Sequence, residues 1–413
     1  MTKLILPLLL AMVAGCAKPT AVTSPWVSPP PGSFLSATAQ PLSDADVVNM
    51  AASVDFVLLG ESHTNLCDHA VQARLIEAMA LSGTRFSIGL EMLPVTAQPV
   101  LDRFNARDIT AADLGHEVEW EKLWGYPYAQ YQPIFELAEK FDLPVAGLNI
   151  PRHVLTTFRD KGNAVLTQSD RDALPRRIIP ASPAQKAALA EQIELHQSMR
   201  EASVTGRMPK PGAAKAENAT QAPQGMRDMA PTMADMAEKF YLVQALWDTM
   251  MAEQALAWRD RTGMPMLVLT GGGHVEHGWG IEYRLRTLDA GATCLGIMPV
   301  RDDEDFQEQT DVRQRSLPGN SIYFHCASQH KSRLGMNIIF EAERMVVGSV
   351  DSESPAEKAG MLAGDILLKA GDRPLTEATD LHFAAMAASR QKKPLQLTIR
   401  RAGQTLTLTL TLD

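Results

Sequence analysis

Two turns in this sequence end an apolar run with a glycine and, three positions on, a histidine. They are Gly60-Glu61-Ser62-His63 after residues 54–59 and Gly271-Gly272-Gly273-His274 after residues 266–269. Glycine ahead of each histidine lets the backbone turn tightly and aim the ring inward. Two more runs end in groups with chemistry: residues 86–90 at Glu91, and residues 144–148 at Asn149 with Arg152 close behind; His277 follows the second turn. Two imidazoles and a carboxylate, His63, His274 and Glu91, form a donor set for a divalent transition metal, with positions left open for water or substrate. Asn149 and Arg152 would orient an anionic ligand group, the arginine through its paired donors. Glu61, His63, Glu91 and His274 are also the residues a metal-dependent hydrolase would use. The competing structural reading is that Glu61 and Glu91 satisfy buried backbone donors or pair with Arg152.

These residues need a scaffold that delivers them to one place. Near-continuous apolar runs separated by helical segments read as parallel strands buried on both faces. The helical segments include 66–81 and 131–141, where Ile134, Phe135, Leu137, Ala138 and Phe141 form a stripe. The fold class is therefore α/β, a mainly parallel sheet flanked by helices. In such sheets functional groups gather beyond the carboxyl ends of the strands, so His63, Glu91 and His274 are predicted to converge on one pocket. Ser43 with Asp46 reads as a helix cap at the start of this domain, which we place at 43–327. A mainly helical excursion runs from 153 to 255, with an irregular insertion at 203–225. Met226, Met229, Met233 and Met236 behind it share a helical face; we read them as core or soft contact surface rather than a Cu(I) site.

A chain of 413 residues can bury one large core and a smaller one. The net charge of -9, with no long basic run, argues against a nucleic-acid partner. Past the N-terminus no apolar run approaches the roughly 20 residues of a membrane span. The N-terminus has Lys3, an apolar stretch over 4–13, then Ala14-Gly15-Cys16, the plan of a secretory signal over 1–16. Val13-Ala14-Gly15-Cys16 resembles the bacterial lipobox, which implies a lipidated Cys16 and a membrane anchor in the bacterial envelope, on an outer membrane facing the periplasm. Residues 17–42, rich in Pro, Ser and Ala, read as an extended tether. Cys67, Cys294 and Cys326 then remain. An oxidising compartment permits one disulfide, but the spacing does not select its members, and we expect no structural role for the three as a group.

Several motifs in order, Gly60-Glu61-Ser62-His63, His69 and Gln72, Gly89-Leu90-Glu91, residues 148–152, residues 248–252 and Gly271-Gly272-Gly273-His274, resemble the ChaN family of haem-binding lipoproteins. The resemblance covers about 43–325. It implies haem as cofactor, a role in iron uptake, a tyrosine as iron ligand, and paired haems between the two subunits of a homodimer. The wider superfamily resembles the Tiki proteases and erythromycin esterases, in which such turns and a glutamate serve hydrolysis. The candidate haem ligands are Tyr126, Tyr128 and Tyr131, clustered with Trp120 and Trp124, where a porphyrin could stack and a phenolate bind iron. Packing is the alternative role for these aromatics.

From 333 to 413 the chain resembles a small β-rich PDZ domain of bacterial envelope proteases, on Leu334-Gly335-Met336, residues 346–350, 354–361 and 363–368. The resemblance implies that the Leu-Gly-Met turn offers backbone N–H groups to a partner protein's C-terminal carboxylate, with Leu334, Met336 and Ile338 lining the peptide groove. The strict alternation of Leu and Thr over 406–412 reads as a half-buried strand.

Overall fold

The computed structural model describes residues 29–187, 189–190, 233–301 and 321–412, apart from positions 328, 333, 342, 343, 353, 372, 377 and 392. The signal-like segment with Cys16, the first part of the tether, the insertion at 203–225, Met226 and Met229 lie outside these residues.

The first unit is built on eight strands: β1 (Phe34–Ser36), β2 (Pro41–Leu42), β3 (Phe56–Glu61), β4 (Ser87–Pro94), β5 (Val145–Asn149), β6 (Met266–Gly271), β7 (Cys294–Val300) and β8 (Ser321–His325). They form one sheet in the order β2-β1-β8-β7-β3-β6-β4-β5. β3 to β8 run parallel to their neighbours, while the β1–β2 hairpin closes one edge antiparallel to β8. The helices are α1 (Asp44–Ala51), α2 (Leu66–Leu81), α3 (Gln98–Asn105), α4 (Ala111–Glu117), α5 (Trp120–Leu123), α6 (Gln132–Phe141), α7 (Arg152–Lys161), α8 (Gln168–Asp172), α9 (Met233–Thr262) and α10 (Ile281–Leu288).

Successive strand side chains point to opposite faces, and the two faces here have separate cores. Val57, Leu59, Ile88, Leu90, Leu267 and Leu269 pack with α1, α2, α3, α4 and α6. Phe56, Leu58, Ala146, Leu148, Met266 and Val268 pack with α9 and α10. Each such side chain contributes about 1.5–3 kcal/mol when fully buried, which is why these strands read as unbroken apolar runs. Local signals set the helix starts. Ser43 and Asp46 form a reciprocal cap on α1, and the Asn65 side chain accepts from the Cys67 and Asp68 N–H groups at the head of α2.

Two expectations change. The extended tether ends before Phe34, because Phe34 and Leu35 are only 2% exposed in β1 and Phe34 meets Phe324 edge-on; two apolar residues suffice to add an edge hairpin. The cysteines do have a structural role: Cys67 in α2 is disulfide-bonded to Cys326 beyond β8, while Cys294 is buried in β7 outside the disulfide. The pair is 259 positions apart, a relation only the fold creates.

The second unit is a seven-stranded antiparallel sheet with its own core. Its strands are β9 (Gln329–Ser332), β10 (Met336–Glu341), β11 (Arg344–Val350), β12 (Ile366–Ala370), β13 (Arg373–Pro374), β14 (Leu395–Arg401) and β15 (Gln404–Leu410), with helices α11 (Pro355–Lys358) and α12 (Ala378–Arg390). β15 has its leucines partly or fully buried and its threonines exposed, as the alternation requires. No helix among the described residues is long and apolar enough to cross a membrane.

Candidate functional site

Strand parity decides where the two glutamates go. Glu61 follows Val57 and Leu59 and enters the α2/α6 face; Glu91 is out of step with Ile88 and Leu90 and enters the α9 face. The site therefore has two halves, one on each side of the sheet, which meet at its carboxyl edge.

In the first half the Glu61 carboxylate is 3% exposed and fully engaged. Its Oε1 lies 2.8 Å from His63 Nδ1 and accepts from the Tyr131 hydroxyl at 2.5 Å, while its Oε2 accepts from Gln72 Nε2 at 2.7 Å. His69 Nε2 is 3.5 Å from the same oxygen. Burial pushes the Glu61 carboxyl up, but the bonds to His63 and His69 outweigh it and hold the group at about 2. His63 is shifted the other way, upward: burial works against its charge, and the hydrogen bond to Glu61 with the fields of Glu91 and Glu61 prevails.

In the second half Glu91 Oε2 accepts from the Thr270 hydroxyl at 2.7 Å and the Gly271 N–H at 2.6 Å, and Oε1 lies 3.4 Å from His274 Nε2. The other nitrogen of His274 sits 2.5 Å from Asp248 Oδ1 and 3.0 Å from Gln244 Nε2. Asp248 is held from behind by Gln185 Nε2 at 3.1 Å and by the buried Arg284 at 3.2 Å. Burial opposes ionisation of both Glu91 and His274. Their mutual attraction, joined for His274 by Asp248, wins and sets Glu91 at about 2 and His274 at about 10. The pair is an internal carboxylate–imidazolium–carboxylate chain.

The halves touch at Gly271. A Cβ placed there would lie 2.9 Å from His63 Cε1 and 3.6 Å from Glu91 Oε2, so the His63 ring rests on bare backbone with the Glu91 carboxylate just behind it. Any side chain at this position would push the ring away, which is the physical reason for a glycine. His63 is also the partly exposed member of the set, its side chain 26% accessible, and it carries an aromatic lip. Trp124 lies 4.7 Å away edge-on and Tyr126 at 5.6 Å. With Nδ1 committed to Glu61, the other ring nitrogen of His63 lies over Gly271, 3.1 Å from where a Cβ there would sit. A cleft of about 160 Å³ lies alongside, lined by Glu61, Gly272, Gly273, His277, Met298 and Arg301. That is below the 300–1,000 Å³ of most small-molecule pockets.

Other candidates are placed elsewhere. Asn149 is spent on backbone, donating to the Glu91 carbonyl at 2.9 Å and accepting from the Ile150 N–H at 2.7 Å. Arg152 begins α7 exposed and has no hydrogen bond or ion pair to Glu61 or Glu91 among the described residues, so the pairing with either glutamate is not formed. His277 borders the cleft with its ring against Trp279. Among the described residues no group of three or more His, Cys, Asp or Glu side chains is already disposed to hold a metal ion. His274 and Glu91 already neutralise each other inside the protein. Two of the three tyrosines are structural. Tyr128 donates to the Ala111 carbonyl at 2.6 Å and Tyr131 to Glu61, and burial, then nearby carboxylates, pushes both phenols well above their ordinary value. Tyr126, by contrast, is partly exposed.

Sequence reading had Asp248 at the head of one motif but gave it no role in the site, and it missed Gln244 and Arg284. The signal was present: Gln244 and Asp248 are one helical turn apart in an otherwise apolar stretch of α9, where a buried polar pair needs a partner.

In the second unit Gly335 has φ +79° and a Cβ there would lie 2.1 Å from Ser354 Cβ, so the Leu334-Gly335-Met336 turn depends on glycine. Leu334, Met336 and Ile338 are 2%, 0% and 1% exposed, packed in the domain core instead of lining an open groove.

A parallel sheet with polar networks gathered at its carboxyl edge, followed by a separate antiparallel unit with a glycine-dependent turn, defines a ligand-binding α/β domain joined to a peptide-binding module. The chain belongs to the family of haem-binding uptake proteins of the Tiki superfamily, ChaN, whose model matches residues 47–285, and a PDZ domain matches 332–412. Regulator of sigma-E protease RseP of Salmonella typhimurium is 41% identical over 121 residues, 29% of this chain and 25% of the relative. The chain thus spans a quarter of the length of the curated relatives it matches. ChaN of Campylobacter jejuni, solved with cofacial haem, aligns at 18% identity with a TM-score of 0.47 over 67% of this chain and 93% of that one. The HtrA3 PDZ domain bound to a phage-derived ligand aligns at 28% identity with a TM-score of 0.16, over 18% of this chain and 64% of that one.

Proposed function

We propose that this protein is an envelope lipoprotein, anchored through Cys16, that binds haem at the His63, Trp124 and Tyr126 lip for iron uptake or handling, while its PDZ domain docks a partner protein. The observation that carries the reading is the lip itself: a partly exposed imidazole with Nδ1 fixed by Glu61, beside the Trp124 ring and the partly exposed Tyr126 phenol. These donors fit ferric haem, which accepts tyrosinate oxygen and imidazole nitrogen as axial ligands. Tyr126 would supply the oxygen, Trp124 would stack on the ring, and Glu61 would hold His63 in register. An open lip leaves one porphyrin face uncovered, which a second copy of this chain would cover. The Cys67–Cys326 disulfide supports an oxidising compartment outside the cytoplasm.

The test is an absorption spectrum, metal analysis and haem titration of the soluble chain. A ferric Soret band that is lost or shifted in Tyr126→Phe is the expected result, with dimer formation on haem addition read by sedimentation. Failure of the wild-type protein to bind haem would overturn the reading. A second reading, a metal-dependent hydrolase, is favoured by the exposed, carboxylate-oriented His63, the arrangement of a general base. Stoichiometric zinc or manganese in place of a Soret band would support it.

A further inference from the structure

The strand that leads into the PDZ turn lies where a bound peptide would lie. β9 pairs antiparallel with β10, Ser332 opposite Met336, Lys331 opposite Asn337, His330 opposite Ile338 and Gln329 opposite Ile339. β11 covers the other edge of β10, so both edges of that strand are filled. β9 is the last strand of the sheet, and α12 packs against it. A peptide that binds by strand addition takes an edge with its backbone and places its C-terminal end at the N–H groups of the turn. β9 has that polarity: it runs towards the turn and ends opposite its last residue, Met336.

We propose that the chain occupies its own peptide groove, with Gln329–Ser332 as a built-in competitor that a partner's C-terminus must displace. The proposal rests on the reading of this domain as a peptide binder. Two features suit β9 to leaving: it has four residues, and it is hydrogen-bonded to a strand on one side only. What keeps it in place is tethering. Upstream, Cys326 is bonded to Cys67 and the Ala327 carbonyl accepts from Asn65 Nδ2 at 3.0 Å, so β9 begins two residues from a fixed point. Downstream, it is joined to β10 by three residues. A competitor held this closely acts at an effective concentration of about millimolar or more. The apparent affinity for a free peptide falls by the fraction of time the groove is open.

The test uses the full chain and a labelled library of hexapeptides with free C-terminal Val, Leu or Phe, read by fluorescence anisotropy. His330→Pro with Lys331→Pro removes two N–H groups and strand geometry from β9. It is expected to bind the best peptide at least tenfold more tightly than the native chain. Lys331→Cys with Asn337→Cys joins directly opposed positions and, once oxidised, fixes β9 on β10. It is expected to bind no peptide, whereas Lys331→Ser with Asn337→Ser binds like the native chain. The locked and serine variants keep the strand, so they decide the question even if the proline variant unfolds. If the locked variant binds as well as the serine variant, or the proline variant binds no more tightly than the native chain while folded, self-occupancy is wrong and the peptide-binding reading stands. If no variant binds any library member, both are overturned.

Discussion

The Tyr131 hydroxyl donates to Glu61 Oε1 at 2.5 Å, across seventy positions of sequence, and the same oxygen meets His63 Nδ1. One carboxylate thus connects a helix on the covered face of the sheet to the ring at its open edge. Tyr131 stabilises the ionised Glu61 and, through it, the orientation of His63.

Removing that bond leaves Glu61 buried with one fewer donor. Tyr131→Phe is expected to cost about 1–3 kcal/mol in denaturant unfolding. Haem affinity should fall less than in Tyr126→Phe, because the Tyr131 ring stays within the aromatic core. Equal or greater loss of haem binding in Tyr131→Phe would assign the ligand role to the wrong tyrosine.

Gly271→Ala tests the contact between the halves. Its backbone φ of -59° suits alanine, and the clash is with the end of a movable ring. We expect a melting temperature within a few degrees of the native value and a clear loss of ligand affinity as His63 is displaced. A variant that binds normally would show that His63 need not rest on this backbone.

Stability should depend on pH with two limbs. Glu61 and Glu91 are depressed to about 2 from an ordinary value of 4.5, so their contribution is present above 4.5 and lost as pH falls through 2. His274 is raised to about 10 from 6.5, so its contribution is full below 6.5 and lost as pH rises through 10. Stability from these groups is greatest between 4.5 and 6.5. His274→Gln should flatten the alkaline limb between 6.5 and 10 in urea titrations; a limb that persists unchanged would assign it to another group.

The disulfide ties α2 to the segment beyond β8. Cys67→Ser with Cys326→Ser is expected to lower unfolding free energy by about 2–5 kcal/mol, leaving the PDZ domain's own transition in place. Thermal unfolding followed by calorimetry separates the two. A shift confined to the PDZ transition would contradict the assignment.

Local pattern determined a good deal of this protein. The four runs at 54–59, 86–90, 144–148 and 266–269 became β3, β4, β5 and β6, because a strand buried on both faces must be apolar throughout. Residues 66–81 became α2 and the 406–412 alternation fell on β15, since amphipathic period is set by local geometry. The glycine turns and the PDZ turn were legible for the same reason. Tertiary structure alone decided the rest. Which face each glutamate enters depends on strand parity relative to cores supplied by distant helices, so Glu61 met Tyr131 and Glu91 met His274 and Asp248. The Cys67–Cys326 pairing and the placing of β9 on β10 join segments by approach in space, and long-range approach leaves no periodic trace in sequence. The character of the sheet edge follows from that approach: the histidine held by one buried carboxylate stays partly exposed, while the histidine held between two becomes part of the core.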